Sequence, residues 1–167
     1  MSSDQQLKDL YRNTVLEHSR QPHNFRRLEP ADRTVLGHNP LCGDKITLFL
    51  RLKENDITDI TFEGTGCAIA MTSASIMTDI ISGKSLQAAN EKADRVMSQF
   101  RYPGGDQPNG DDGLADLGDM AALGGVRAYP SRIKCATLAW KTLKAALQGS
   151  SSSVTTEPAG EDHVRIR

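Results

Sequence analysis

Three cysteines and one aspartate carry the chemistry that can be read from this chain: Cys42, Asp44, Cys67 and Cys135. Three is an odd number, so a closed disulfide framework is excluded and thiols are left for metal binding or reaction. Cys42 lies in Asn39-Pro40-Leu41-Cys42-Gly43-Asp44, just before a strong strand pattern, and Cys67 in Gly64-Thr65-Gly66-Cys67-Ala68, between a strand and a helix. At about 100° per residue, Cys135 is turned roughly 200° from Ile133, away from the apolar stripe of its own helix. A lone cysteine is often a small buried hydrophobe. Off the stripe, Cys135 is expected to be exposed or a ligand. Three thiolates and a carboxylate suit a tetrahedral divalent zinc ion, and thiolates suit an iron–sulfur cluster as well. Spacing alone leaves both open. Four anionic ligands around a divalent ion leave a formal charge of about −2. Arg132 and Lys134, beside Cys135, could offset that charge from just outside the ligands.

The elements that must position these residues follow from periodicity. Ile46, Leu48, Leu50 and Leu52 alternate with Thr47, Phe49 and Arg51, the period of two of a half-buried strand. Glu54-Asn55-Asp56 reads as a turn, and Ile57–Glu63 as the antiparallel return strand. A weaker strand is expected around Thr34–His38. Cys42 leads into one strand and Cys67 leaves its hairpin partner, which sets their ends side by side. Asp44 would share a face with Cys42 if that segment is extended.

Helices are expected over Ser3–His18 (stripe Leu7, Leu10, Tyr11, Val15), over Ala70–Ser82, after a cap at Ser85, and over Leu114–Leu123. A last long helix begins near Pro130 with the stripe Ile133, Thr137, Trp140, Leu143 and Leu147. Residues 101–113, rich in glycine and proline, read as a long loop. Strands early and helices late point to an α+β fold, a small antiparallel sheet of about three strands with helices packed against it. Residues 1–148 are expected to be a single domain, and 149–167 a disordered Ser-rich tail.

Composition narrows the partners. The chain has 167 residues, 20 Lys plus Arg and 21 Asp plus Glu, for a net charge of −1, so it offers no field for nonspecific nucleic-acid or membrane binding. Mean hydropathy is −0.44, with no membrane-length apolar run and no leader pattern, so a cytoplasmic location is expected. Three of the four histidines are read as outside the site, and His38, four residues before Cys42, could reach it. His18, His23 and His163 fall in a helix end, a polar turn and the tail, and His38 reads foremost as a surface or hydrogen-bonded residue.

These residues resemble a known family, the U-type iron–sulfur cluster assembly proteins (IscU, SufU and the N-terminal part of NifU). The resemblance runs from about Leu7 to Leu147. It rests on Asn39-Pro40-Leu41-Cys42-Gly43-Asp44, on Phe62-Glu63-Gly64-Thr65-Gly66-Cys67-Ala68-Ile69, and on Tyr129-Pro130-Ser131-Arg132-Ile133-Lys134-Cys135-Ala136-Thr137-Leu138-Ala139-Trp140. Scaffold-type IscU proteins carry a histidine where this chain has Lys134. The stretch from about Arg101 to Leu123 resembles the insertion of SufU-type members.

The resemblance implies a SufE/NifU-like fold and a zinc-dependent sulfurtransferase. That protein would take persulfide sulfur from a SufS-type, pyridoxal-phosphate-dependent cysteine desulfurase and serve the downstream iron–sulfur assembly machinery. Cys42 would be the sulfur acceptor, released from zinc when the partner offers a histidine, while Asp44, Cys67 and Cys135 retain the ion. Cys135 is the second choice of acceptor. The alternative is a scaffold on which a [2Fe-2S] cluster is assembled and passed to apo-proteins.

Overall fold

Alternating apolar residues in the middle of the chain build the sheet. In the computed structural model, which describes residues 3–101, 117–149 and 153–156, β1 (Arg33–Asn39), β2 (Asp44–Lys53) and β3 (Asp56–Thr65) form an antiparallel ladder. Val35 faces Leu48 across the first pair, and Leu48 faces Phe62 across the second. A two-residue strand, β4 (Val154–Thr155), joins β1 in parallel, giving the order β3-β2-β1-β4.

The α+β class and the three antiparallel strands are as expected, and the parallel fourth strand is an addition. Val154 and Thr155 fall inside the stretch expected to be disordered. They pair there because the outer edge of β1 presents backbone groups that an extended segment can satisfy.

Helix α1 spans Ser3–Arg20, α2 Ala68–Ile81, α3 Leu86–Gln99 and α4 Pro130–Leu147, with a 3₁₀ segment over Gly118–Ala128. Helix α4 is the hub. It packs on β1 and β2 and touches α2, α3 and the 3₁₀ segment. Surrounded in this way, it buries Cys135, Ala136, Leu138, Ala139, Trp140, Thr142, Leu143 and Ala146, more than a single stripe. Cys135 is therefore fully buried, which corrects the first of its two expected readings, exposed or a ligand, and Ile133 is only half-buried.

Helix α1 differs in its buried face too. Leu10 is exposed, whereas Thr14 and His18 are buried against α2 and the 3₁₀ segment. The short helix expected at Leu114–Leu123 is replaced, where residues are described, by the 3₁₀ segment. Leu117, Met120, Leu123 and Val126 all point inward, because side chains three apart stack in a three-residue turn. Of the stretch from Arg101 to Leu123 that resembles an insertion, residues 102–116 lie outside the described residues. No described helix is long and apolar enough to cross a membrane.

Candidate metal centre

The β1–β2 turn, the end of β3 and the starts of α2 and α4 meet at one end of the sheet. Asn39, the last residue of β1, pairs with Asp44, the first of β2. Residues 40–43 turn the chain between them, with Gly43 at φ +74°, a value that glycine adopts without strain. The Cys42 N–H donates to the Asn39 carbonyl at 3.3 Å. Cys42 thus sits in a turn at the hairpin tip and not in extended chain, and its thiol is exposed.

Asp44 is fully buried, so its charge must be met by donors. Its Oδ1 accepts the Cys67 N–H at 2.8 Å, and its Oδ2 accepts Nδ2 of Asn39 at 3.0 Å. The first contact depends on Gly66, where a Cβ would stand 2.8 Å from Asp44 Oδ1. Gly66→Ala is therefore expected to displace the carboxylate and cost about 1–3 kcal/mol. Urea unfolding of the metal-free variant checks this.

Cys67 caps the N-terminus of α2, where its sulfur accepts the Ala70 N–H at 3.5 Å. A hydrogen bond from Cys135 and the helix-start amides of Ala70 and Ile69 lower its pKa to about 6, against opposition from burial and from Asp44. Cys135 moves the other way. As the donor to Cys67, and being buried, it holds its proton well above the ordinary thiol range.

Cys135 Sγ stands 3.3 Å from Cys42 Sγ, and the donor atoms of Cys42, Asp44 and Cys135 all lie within 4.8 Å of one another. Cys67 Sγ adjoins this trio, 4.0 Å from Asp44 Oδ2. Donor atoms on one tetrahedral ion with bonds of about 2.0–2.3 Å stand about 3.3–3.8 Å apart. Cys42, Asp44 and Cys135 therefore have the types and the proximity of donors to a borderline divalent ion, and Cys67 stands beside them without converging as closely. Arg132 is exposed on the first turn of α4, and Lys134 is half-buried just beyond. The Tyr11 hydroxyl of α1 lies in the same neighbourhood. Burial raises its pKa, Arg132 opposes the rise and Cys67 adds to it.

A second group of donors, Glu17, His18 and His23, also converges within 4.8 Å. His18, expected to be unremarkable, is fully buried with both ring nitrogens occupied. Nδ1 is 2.7 Å from Ser75 Oγ, and Nε2 is 3.1 Å from Asp119 Oδ2. Ser75 Oγ also accepts the His23 N–H at 2.7 Å. This group is a clasp joining α1, α2 and the 3₁₀ segment. Sequence reading also missed Asn39, whose signal is its place at the strand end just before the cysteine turn.

Residues 10–136 match the NifU-like N-terminal domain model. The chain is 41% identical over 145 residues to the zinc-dependent sulfurtransferase SufU of Bacillus subtilis, spanning 86% of this chain and 93% of that protein. It is 40% identical over 147 residues to the iron–sulfur cluster assembly scaffold protein IscU of Streptococcus pyogenes, spanning 88% of each. Among solved structures, a candidate SUF-system scaffold protein from Fervidobacterium islandicum superposes with a TM-score of 0.72 at 33% identity, over 83% of this chain and 96% of that one. Because that domain model spans most of the chain, and relatives at 40–41% identity are covered over nearly their whole length, the chain belongs to the NifU-like N-terminal domain family.

Proposed function

We propose that this chain is an iron–sulfur cluster assembly protein of the IscU/SufU type that accepts persulfide sulfur on Cys42 from a pyridoxal-phosphate-dependent cysteine desulfurase. In the resting protein Cys42, Asp44, Cys67 and Cys135 hold one zinc ion. The observation that carries this reading is the asymmetry of the sulfur pair. Cys42 is exposed on a turn, and 3.3 Å behind it Cys135 is buried on the central helix. One sulfur is placed to leave and meet a partner, while Asp44 and Cys67 are fixed by backbone and side-chain hydrogen bonds. Leu41 and Tyr129, next to the turn and at the start of α4, are 60% and 63% exposed, an apolar rim suited to a docked protein.

Zinc, when bound, holds its sulfurs deprotonated and adds no redox chemistry of its own. In the transfer step the Cys42 thiolate attacks the terminal sulfur of the desulfurase persulfide. A sulfur–sulfur bond forms on Cys42, the donor's sulfur–sulfur bond breaks, and the desulfurase cysteine leaves as thiolate with no net oxidation. Arg132, exposed beside the centre, adds a positive charge toward the incoming persulfide, and Lys134 offsets the anionic ligands.

The test is metal analysis of freshly purified protein followed by sulfur transfer from a desulfurase, with and without chelator. About one zinc per chain, no visible colour, and chelator-sensitive stimulation are expected. A visible-absorbing cluster that forms with iron, cysteine and desulfurase and passes to an apo-acceptor would instead support a [2Fe-2S] scaffold.

A further inference from the structure

The C-terminal strand reaches the cysteine centre through one side chain. Thr156, immediately after β4, donates its N–H to the His38 carbonyl at 3.1 Å and its hydroxyl to Oδ1 of Asn39 at 3.0 Å. On the other end of the same amide, Nδ2 donates to Asp44 Oδ2 at 3.0 Å and lies 3.6 Å from Cys135 Sγ. An amide has one acceptor oxygen and two N–H donors. With Oδ1 engaged by the hydroxyl, both donors are left to face the carboxylate and the sulfur. A reversed amide would set its oxygen against the Asp44 carboxylate, acceptor facing acceptor. Asn39 is fully buried, so the amide has no water to compensate a lost partner. The family match ends at residue 136, well short of this strand.

We propose that Thr156 is a positioning residue of the centre: by docking on β1, the C-terminal strand sets the Asn39 amide, which in turn holds Asp44 and Cys135 in ligand geometry. The metal readout rests on the zinc reading above, and a metal-free readout separates the two. Groups that orient metal ligands change affinity by about 10–100-fold when removed, and Thr156 acts one bond further out, so a loss of about 3–10-fold is expected.

The experiment uses the full chain and its Thr156→Val, Thr156→Ser, Thr155→Val and Asn39→Ala variants. Zinc affinity is measured by chelator competition. In the metal-free proteins, the rate of iodoacetamide labelling at Cys135 is read by peptide mass spectrometry. Thr156→Val is expected to weaken zinc binding and to speed labelling of the buried Cys135 several-fold, Thr156→Ser to restore both, and Thr155→Val to change neither. Combined with Asn39→Ala, Thr156→Val should add nothing, because both act through one amide. Unchanged affinity and labelling in Thr156→Val, or full additivity with Asn39→Ala, overturns the inference. If no variant and no wild-type sample binds zinc, yet Thr156→Val speeds labelling, the positioning role stands and the zinc reading falls.

Discussion

Replacing Cys42 with alanine is expected to return cysteine desulfurase turnover to the rate of the desulfurase alone. No other cysteine combines exposure with a place on a turn: Cys67, at the N-cap of α2, is half-buried and Cys135 is fully buried. Because Cys42 is exposed, the metal-free variant should keep its unfolding free energy within about 0.5 kcal/mol of wild type. A coupled assay of alanine or sulfide release, beside circular dichroism and urea unfolding, gives both numbers. Full stimulation by Cys42→Ala would move the acceptor role to Cys135.

Asp44→Ala is expected to be damaging in two separable ways. The carboxylate satisfies the Cys67 N–H and the Asn39 amide inside the protein. Each buried donor left unpaired costs about 1–3 kcal/mol, so the metal-free variant should lose at least about 2 kcal/mol. As the one oxygen donor of the centre, Asp44 should also carry zinc affinity down by at least about 100-fold, at or beyond the upper limit for residues that merely orient ligands. Asp44→Asn keeps the volume and one acceptor oxygen for the Cys67 N–H. It should recover part of the stability without recovering the affinity. Zinc content that survives Asp44→Ala under chelator challenge would remove Asp44 from the ligand set.

The parts of the molecule that were legible beforehand share one property: their signal is local. Alternation from Ile46 to Leu52 is visible within seven residues and produced the central strand pair. The hairpin logic that brings the start of β2 to the end of β3 needed only the turn at Glu54–Asn55. The four candidate ligands stood out because each lies at or near an element end, and the structure brings Cys42, Asp44 and Cys135 together with Cys67 adjoining.

What was not legible depends on neighbours far along the chain. A single apolar stripe turns Cys135 away from the core, toward solvent or a ligand, whereas α4 is wrapped by the sheet, α2 and α3 at once and buries it. In α1 the buried face turned on the docking of His18 to Ser75 and Asp119, residues 57 and 101 positions away. The 3₁₀ segment did leave a local trace. Leu117, Met120, Leu123 and Val126 recur every three residues, and a template with a period of 3.6 passes over that spacing. Strand β4 had no such trace. Two residues in a serine-rich stretch carry too little pattern, and only the open edge of β1 gives them a place.

The central claim is that Cys42, Asp44, Cys67 and Cys135 share one divalent ion, and X-ray absorption at the zinc edge on freshly purified protein tests it most directly. Three sulfurs at about 2.3 Å and one oxygen at about 2.0–2.2 Å are predicted. One sulfur should be lost from the shell in Cys42→Ala. A shell of nitrogen and oxygen alone, or a sulfur count that does not fall in that variant, would contradict it.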